Sequence, residues 1–345
     1  MKKSHKIQLK EYTDVLLKSE IRYDELKEAV DASYDLYRSV SGLREDAPAS
    51  REAVFLPTGK AIDSFEAGMC VKEFMRTKKF VAGLYEAILE AQNRFPNRKI
   101  HILYAGTGPF ATLMLPMTSI FSPDQIKFTL LEINKHSINC LKKLITEFDV
   151  WDYVQDIVET DASMYSPDKS ESIHIFLTET MQRALNKEPQ VSITLNLIDQ
   201  IEENAIMIPQ NIRIDAVLFD HKRNKQRMFG VEGAKDDYYE VLGRVIDFDR
   251  GMAKMHGASY RENRRNYTLP IVTIEFPEKI DQRFSSIKLM TQIHVYNEHV
   301  LSYYESSLNL PEKLLVIEDI ENLPKHLELQ YVISDIPKFK IVNRS

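Results

Sequence analysis

Gly106 and Gly108 stand directly after a short apolar run, in ILYAGTGPFATLMLP over residues 102–116. Glycine at such positions lets the chain turn sharply and lets a ligand approach the backbone. A plain tight turn between a strand and a helix needs the same residues, so the spacing beyond the pair decides what it is for. Glu132 closes the next apolar run, 24 residues after Gly108. A carboxylate at the end of a second strand is placed to accept both ribose hydroxyls of an adenosine ligand. It is equally placed to cap the helix that follows. Asp161, with Ala162 beside it, closes a third run, where a carboxylate can accept from an adenine amino group. Three strand ends at these spacings point to an adenosine site. Pro109 removes an N–H from the turn that would cradle a pyrophosphate. That favours a ligand without phosphates, such as S-adenosylmethionine (SAM), over a dinucleotide.

The elements that must position these residues are legible as changes of period. KIHILYAG, KFTLLEIN (127–134), DIVETDA (156–162) and SIHIFLTET (172–180) are apolar runs of strand length, and HSINCLKKLITEF (136–148) is helical. Strands alternating with helices predict parallel βαβ units. A long helix is predicted from about Ser64 to Asn93, with two helices within 6–40 and a linker over 41–63. After residue 208 the pattern becomes β-rich, with no helix long enough for a crossover. The expected fold is therefore α/β: an N-terminal helical region and linker (1–63), a Rossmann-like SAM-binding domain (64–208) and a β-rich domain (209–345).

At these residues the chain resembles class I SAM-dependent methyltransferases, and within them the protein arginine methyltransferase branch. The resemblance covers about residues 64–220. Arg76-Thr77 matches an Arg-Thr pair whose arginine holds the SAM carboxylate, a role suited to a guanidinium fork. The same arginine read without the family is a solvated residue in a basic stretch. Gly106, Gly108, Glu132 and Asp161 match the class's cofactor segments. The most specific match is Thr178-Glu179-Thr180-Met181 through Glu188, because the family carries two glutamates nine residues apart here. Ile208-Pro209-Gln210-Asn211 resembles the family's exit from the cofactor domain.

The resemblance implies that Glu179 and Glu188 are catalytic. A guanidinium and a sulfonium are both cations, and bringing them together in a low-dielectric pocket requires negative charge. Two carboxylates can grip the guanidinium, orient one nitrogen and help remove its proton. Read without the family, Glu179 ends a strand and Glu188 caps a helix starting near Pro189. Departures from the family narrow the acceptor. Thr180 stands where a tryptophan usually follows the first glutamate. The Thr-His-Trp loop is missing, its nearest counterpart being Thr291–His294, where His294 reads as a half-buried strand residue. The N-terminal aromatic motif is missing too. These losses point to a small guanidino acceptor, such as free arginine, rather than a protein. Arg261–Arg265 reads as a solvated basic loop, with a substrate carboxylate as the alternative partner. Two other functions stay open: a SAM-dependent methyltransferase of another small amine or oxygen acceptor, and an inactive SAM-binding partner subunit.

Composition bounds the rest. The formal net charge of −6 excludes a strongly basic nucleic-acid surface as the chain's main business. Two cysteines support neither a disulfide framework nor a zinc site on their own, and no metal is expected. No apolar stretch long enough to span a bilayer and no secretory signal are present, so a soluble cytoplasmic protein is expected. The resemblance implies a homodimer, with the β-rich part as its contact.

Overall fold

The computed structural model describes residues 2–233, 237–318 and 323–344. The chain opens with α1 (Lys2–Leu17) and α2 (Tyr23–Ser41). Val30, Tyr34 and Tyr37 recur at helical spacing on the buried face of α2. Gly42, at φ +72°, ends the helix in the left-handed conformation. Residues 41–63 are more than the predicted linker, because they contain a hairpin of β1 (Val54–Leu56) and β2 (Gly59–Ala61). Three-residue strands are too short to show a period. The hairpin is held from outside: the Lys60 N–H donates to the Lys187 carbonyl at 2.7 Å. A Cβ on Gly59 would lie 2.9 Å from the Pro189 nitrogen, so only glycine lets the two backbones meet.

The single helix expected over 64–93 is broken. It consists of α3 (Ser64–Met69), a 3-10 turn and α4 (Phe74–Arg94). Asp63 caps α3 by accepting from the Glu66 N–H at 2.8 Å. Glu73 leaves the helical region at φ −78°, ψ 77°. The Thr77 hydroxyl donates to the Val71 carbonyl at 2.9 Å, satisfying an acceptor that the break sets free. The break puts Arg76 in the first turn of α4 instead of mid-helix.

The central sheet comes from β3 (Ile100–Ala105), β4 (Ile126–Glu132), β5 (Val154–Glu159), β6 (Ile175–Thr178) and β7 (Ile206–Ile208). Between them lie α5 (Met114–Thr118), α6 (Lys135–Phe148) and α7 (Gln190–Leu197). The strand order is β5-β4-β3-β6-β7 and every pairing is parallel. Every residue of β3 and β6 is buried, which explains their unbroken apolar sequences. The order reverses between β3 and β6, so a crevice opens at their carboxyl ends.

From residue 211 the strands are antiparallel: β8 (Asn211–Phe219), β9 (Tyr239–Asp249), β10 (Val272–Glu275), β11 (Ser286–Tyr296), β12 (His299–Leu301), β13 (Glu312–Val316), β14 (His326–Val332) and β15 (Lys338–Arg344). One sheet runs β12-β11-β8-β9, with β13 also on β11; a second runs β10-β14-β15. This part also holds α8 (His221–Met228) and the 13-residue α9 (Arg250–Glu262), although the sequence suggested no long helix. Gly257 brings α9 against α7: a Cβ there would sit 3.0 Å from the Leu195 carbonyl. Arg261 pairs with Asp199 at 2.8 Å and Arg264 donates to Asn196 Oδ1 at 3.2 Å. The Arg261–Arg265 cluster therefore begins in the last turn of α9; Arg261 and Arg264 turn towards Asp199 and Asn196, while Glu262, Asn263 and Arg265 stay exposed, so the solvated-loop expectation holds for part of it. His294 lies on β11 opposite Asn211, half-buried in the sheet as expected. Among the described residues no helix is long and apolar enough to cross a membrane.

Candidate active site

At the carboxyl end of β3, Gly106 and Gly108 adopt φ +76° and +61°. The Gly106 N–H donates to the Leu131 carbonyl at 2.9 Å, and a Cβ at this position would run into the Thr180 methyl. Glu132 ends β4 facing the same turn. Its Oε2 accepts from the Gly108 N–H at 2.7 Å, and its Oε1 from the N–H groups of Ile133 at 2.9 Å and Asn134 at 2.8 Å. Burial raises its pKa, opposed by these three donors. The helix-capping alternative for Glu132 does not hold. Asn134 caps α6, its Oδ1 accepting from the His136 and Ser137 N–H groups. Asp161 follows β5, and its Oδ1 accepts from the Ser163 N–H at 2.9 Å. The Ala162 carbonyl accepts from the Asn196 amide at 3.0 Å.

The second set of residues lies after β6. Glu179 pairs with Arg76 through Oε2, while its Oε1 is buried without a hydrogen-bond partner among the described residues. Arg76 also reaches Glu73 Oε2 at 3.3 Å. Its side chain is only 10% exposed, so it is not a solvated helix residue. Burial raises the Glu179 pKa against the pull of Arg76. Glu188 is buried, and burial pushes its pKa up to about 7; the Gln182 side chain bonded to it opposes the rise and Glu179 adds to it. Glu188 does not cap α7. The helix begins after Pro189 with no side-chain cap.

Between the two glutamates the chain makes a constrained turn. Ala184, Leu185 and Lys187 have φ of +53°, +54° and +68°. Left-handed non-glycine residues cost about 1–3 kcal/mol each and persist only where surrounding contacts over-determine them. Those contacts come from far along the chain. The buried Tyr331 hydroxyl donates to the Leu185 carbonyl at 2.7 Å, Thr291 Oγ1 accepts from the Ala184 N–H at 3.0 Å, and the Pro337 carbonyl accepts from the Lys187 N–H at 2.8 Å. Gln190, at the start of α7, accepts from the Thr180 N–H at 2.9 Å. The β1–β2 hairpin closes the remaining side through Gly59 and Lys60.

These residues surround one cavity of about 460 Å³. Arg76, Gly106, Gly108, Glu132, Asp161, Ala162, Glu179 and Glu188, all singled out by the sequence, line it. Among the described residues its charged lining consists of the carboxylates of Glu66, Glu132, Asp161, Glu179 and Glu188 against the guanidiniums of Arg76 and Arg183. Such a wall suits cationic occupants. The cavity also takes Leu56, Ala61 and Ile62 from the hairpin region and Ser307 and Leu308 from the β-rich part. Sequence reasoning missed these, together with Gln190 and Tyr331. No local pattern marks them, since each reaches the site only through long-range packing.

No family model matches the chain, and no curated protein matches it. Among solved structures 179 chains match. One belongs to the Trypanosoma brucei PRMT1 enzyme–prozyme heterotetrameric complex with AdoHcy. It superposes with a TM-score of 0.47 at 13% identity, covering 79% of this chain and 95% of that one. A likeness this loose identifies neither a family nor an activity.

Proposed function

We propose that this chain is a SAM-dependent N-methyltransferase acting on a guanidino nitrogen of a small acceptor, free arginine or a similar metabolite. The observation that carries this reading is that one acidic cavity is lined both by Gly106, Gly108 and Glu132 and by Glu179 and Glu188. The residues fit such a cofactor. Gly106 and Gly108, both at positive φ, turn the chain sharply in the cavity wall, and Gly106 leaves room there only for the Thr180 methyl. Glu132 faces that turn for the ribose hydroxyls, Asp161 suits an adenine amino group, and Arg76 is the buried guanidinium for a carboxylate. SAM supplies an electrophilic methyl group on a sulfonium.

The chain's own residues do the rest. Glu179 Oε1 is an acceptor buried without a donor. Leaving it so is costly, and a guanidinium N–H relieves the cost. Glu188 offers the second carboxylate, so a planar cation is gripped at two points and one nitrogen is turned towards the cofactor end. That nitrogen must shed a proton as it gains carbon. A carboxyl with a pKa of about 7 is poised to accept it. In this reading residues 64–208 carry the cofactor, residues 1–63 cover it, and 209–345 brace the acceptor side. The β-rich part also forms a homodimer contact, for which the exposed Met228, Phe229 and Val231 supply apolar surface. Light scattering at micromolar concentration should give twice the chain mass.

Methyl-labelled SAM offered with free arginine, agmatine, an arginine peptide and simple amines tests the reading. Label on the guanidino nitrogens of the small guanidines is expected. Label only on amines or hydroxyls would move the activity to another acceptor. Tight S-adenosylhomocysteine binding with no product from any acceptor would make the chain a non-catalytic subunit.

A further inference from the structure

Of the two guanidiniums that line the cavity among the described residues, Arg76 is buried, bonded to Glu179 and Glu73, and assigned above to the cofactor's carboxylate. Arg183 has no part in the chemistry described above. It stands midway along the turn from Glu179 to Glu188, next to the left-handed Ala184, so the same constrained backbone that sets the two carboxylates also sets this cation. Its Nε is anchored by Glu312 of β13 at 2.7 Å. The side chains grade from inside to outside: Glu179 is 13% exposed, whereas Arg183 is 47% exposed. The carboxylates thus form the floor of the acceptor end and the guanidinium its rim.

From this we infer that Arg183 recognises a carboxylate on the acceptor, making the substrate class guanidino acids rather than simple guanidines or amines. The inference rests on the guanidino methyl-transfer reading and deepens it. A guanidinium entering an acidic cavity leaves the far end of its molecule at the rim. There a carboxylate meets the one lining cation not already held in the buried network, and an anchored guanidinium is suited to bind it. A decarboxylated analogue offers nothing to that cation. Glu312, bonded to Arg183, adds a negative partner for an α-ammonium on the same head group. Because the rim is half in water, the contact is a screened one and acts mainly on affinity.

The test is a titration of arginine, arginine amide and agmatine into protein saturated with S-adenosylhomocysteine, with methyl transfer measured in parallel. Wild type should bind arginine about tenfold more tightly than agmatine or the amide, as one partly exposed charge-assisted contact implies. The same ratio should appear in KM, with kcat little changed. Arg183→Gln should bring arginine to agmatine's value, and Arg183→Lys should restore part of the difference. Both variants should keep wild-type affinity for S-adenosylhomocysteine. Equal binding of arginine and agmatine by wild type would overturn the inference. So would a Gln variant that weakens both acceptors alike, or one that loses the cofactor product instead. Discriminating binding without methyl transfer would break the catalytic reading and leave the role of Arg183 standing.

Discussion

The two ends of the cavity are built on opposite principles. The end with Gly106, Gly108 and Glu132 is made from the sheet itself. Each residue sits at a strand terminus, and the turn is tied by backbone groups of neighbouring strands, such as the Gly106 N–H on Leu131. The end with Glu179 and Glu188 is a single turn with three left-handed non-glycine residues. It is held by Tyr331, Thr291, Pro337 and the β1–β2 hairpin, all distant in sequence. The first can be set by local sequence and sheet register. The second is tied to the β-rich part, so the Glu179–Glu188 turn depends on long-range contacts more than the glycine turn does. Thr180 joins the two, because its methyl group occupies the space that a Cβ on Gly106 would need.

The largest effect should come from the glutamate pair. Glu179→Gln and Glu188→Gln each keep shape and remove a charge, and each should cost about 2–4 kcal/mol of transition-state stabilisation, roughly 30- to 1,000-fold in kcat. The double variant should be little worse than either single one, because the two act as one clamp. Affinity for S-adenosylhomocysteine should stay within a few-fold. A Glu188→Gln enzyme with full rate beside a dead Glu179→Gln would replace the clamp by a single base.

Glu132→Ala attacks the other end. Losing the ribose acceptor should weaken S-adenosylhomocysteine by about 30-fold in calorimetry, the range of a hydrogen bond to a charged group. Acceptor specificity in the residual activity should not change. A shift in acceptor preference would contradict the separation of the two ends.

Gly106→Ala forces a side chain into positive φ and against Thr180, at a combined cost of about 2–3 kcal/mol in a denaturant melt. Adding Thr180→Ser removes the offending methyl group and should recover the steric part while leaving the conformational part. Simple additivity of the two substitutions would show that the ends are not coupled here.

Tyr331→Phe deletes the donor to the Leu185 carbonyl, a loss of about 1–2 kcal/mol of stability. If the β-rich part braces the turn, kcat should fall a few-fold with cofactor affinity untouched. Loss of stability with unaltered kcat would reduce Tyr331 to a core residue.

The same contrast explains what the sequence could reveal. The end with Gly106 and Glu132 was legible because parallel strands buried on both faces read as unbroken apolar runs, and each of these residues closes or follows one of them. The helix break at Glu73 was not, because Thr77 satisfies the freed carbonyl through its side chain and the apolar spacing runs on without interruption. The hairpin was hidden by its brevity, since three residues carry no alternation. At the other end the spacing of Glu179 and Glu188 drew notice only through a family resemblance. Nothing local in Arg183-Ala184-Leu185 announces a left-handed turn, because the groups that hold it lie more than 100 residues away.

The claim at the centre is that a guanidinium binds on Glu179 and Glu188 beside the cofactor. Its most direct test is a titration of arginine into protein saturated with S-adenosylhomocysteine, run at pH 7 in two buffers of different ionisation enthalpy. Glu188, with a pKa pushed up to about 7 by burial, is partly protonated before the cation arrives. An arriving cation favours the ionised form, so binding should release a fraction of a proton at pH 7, and affinity should rise with pH until the carboxyl is fully ionised. Glu188→Gln should abolish the release and weaken binding. Saturable binding with no proton released, unchanged by Glu188→Gln, would contradict the account.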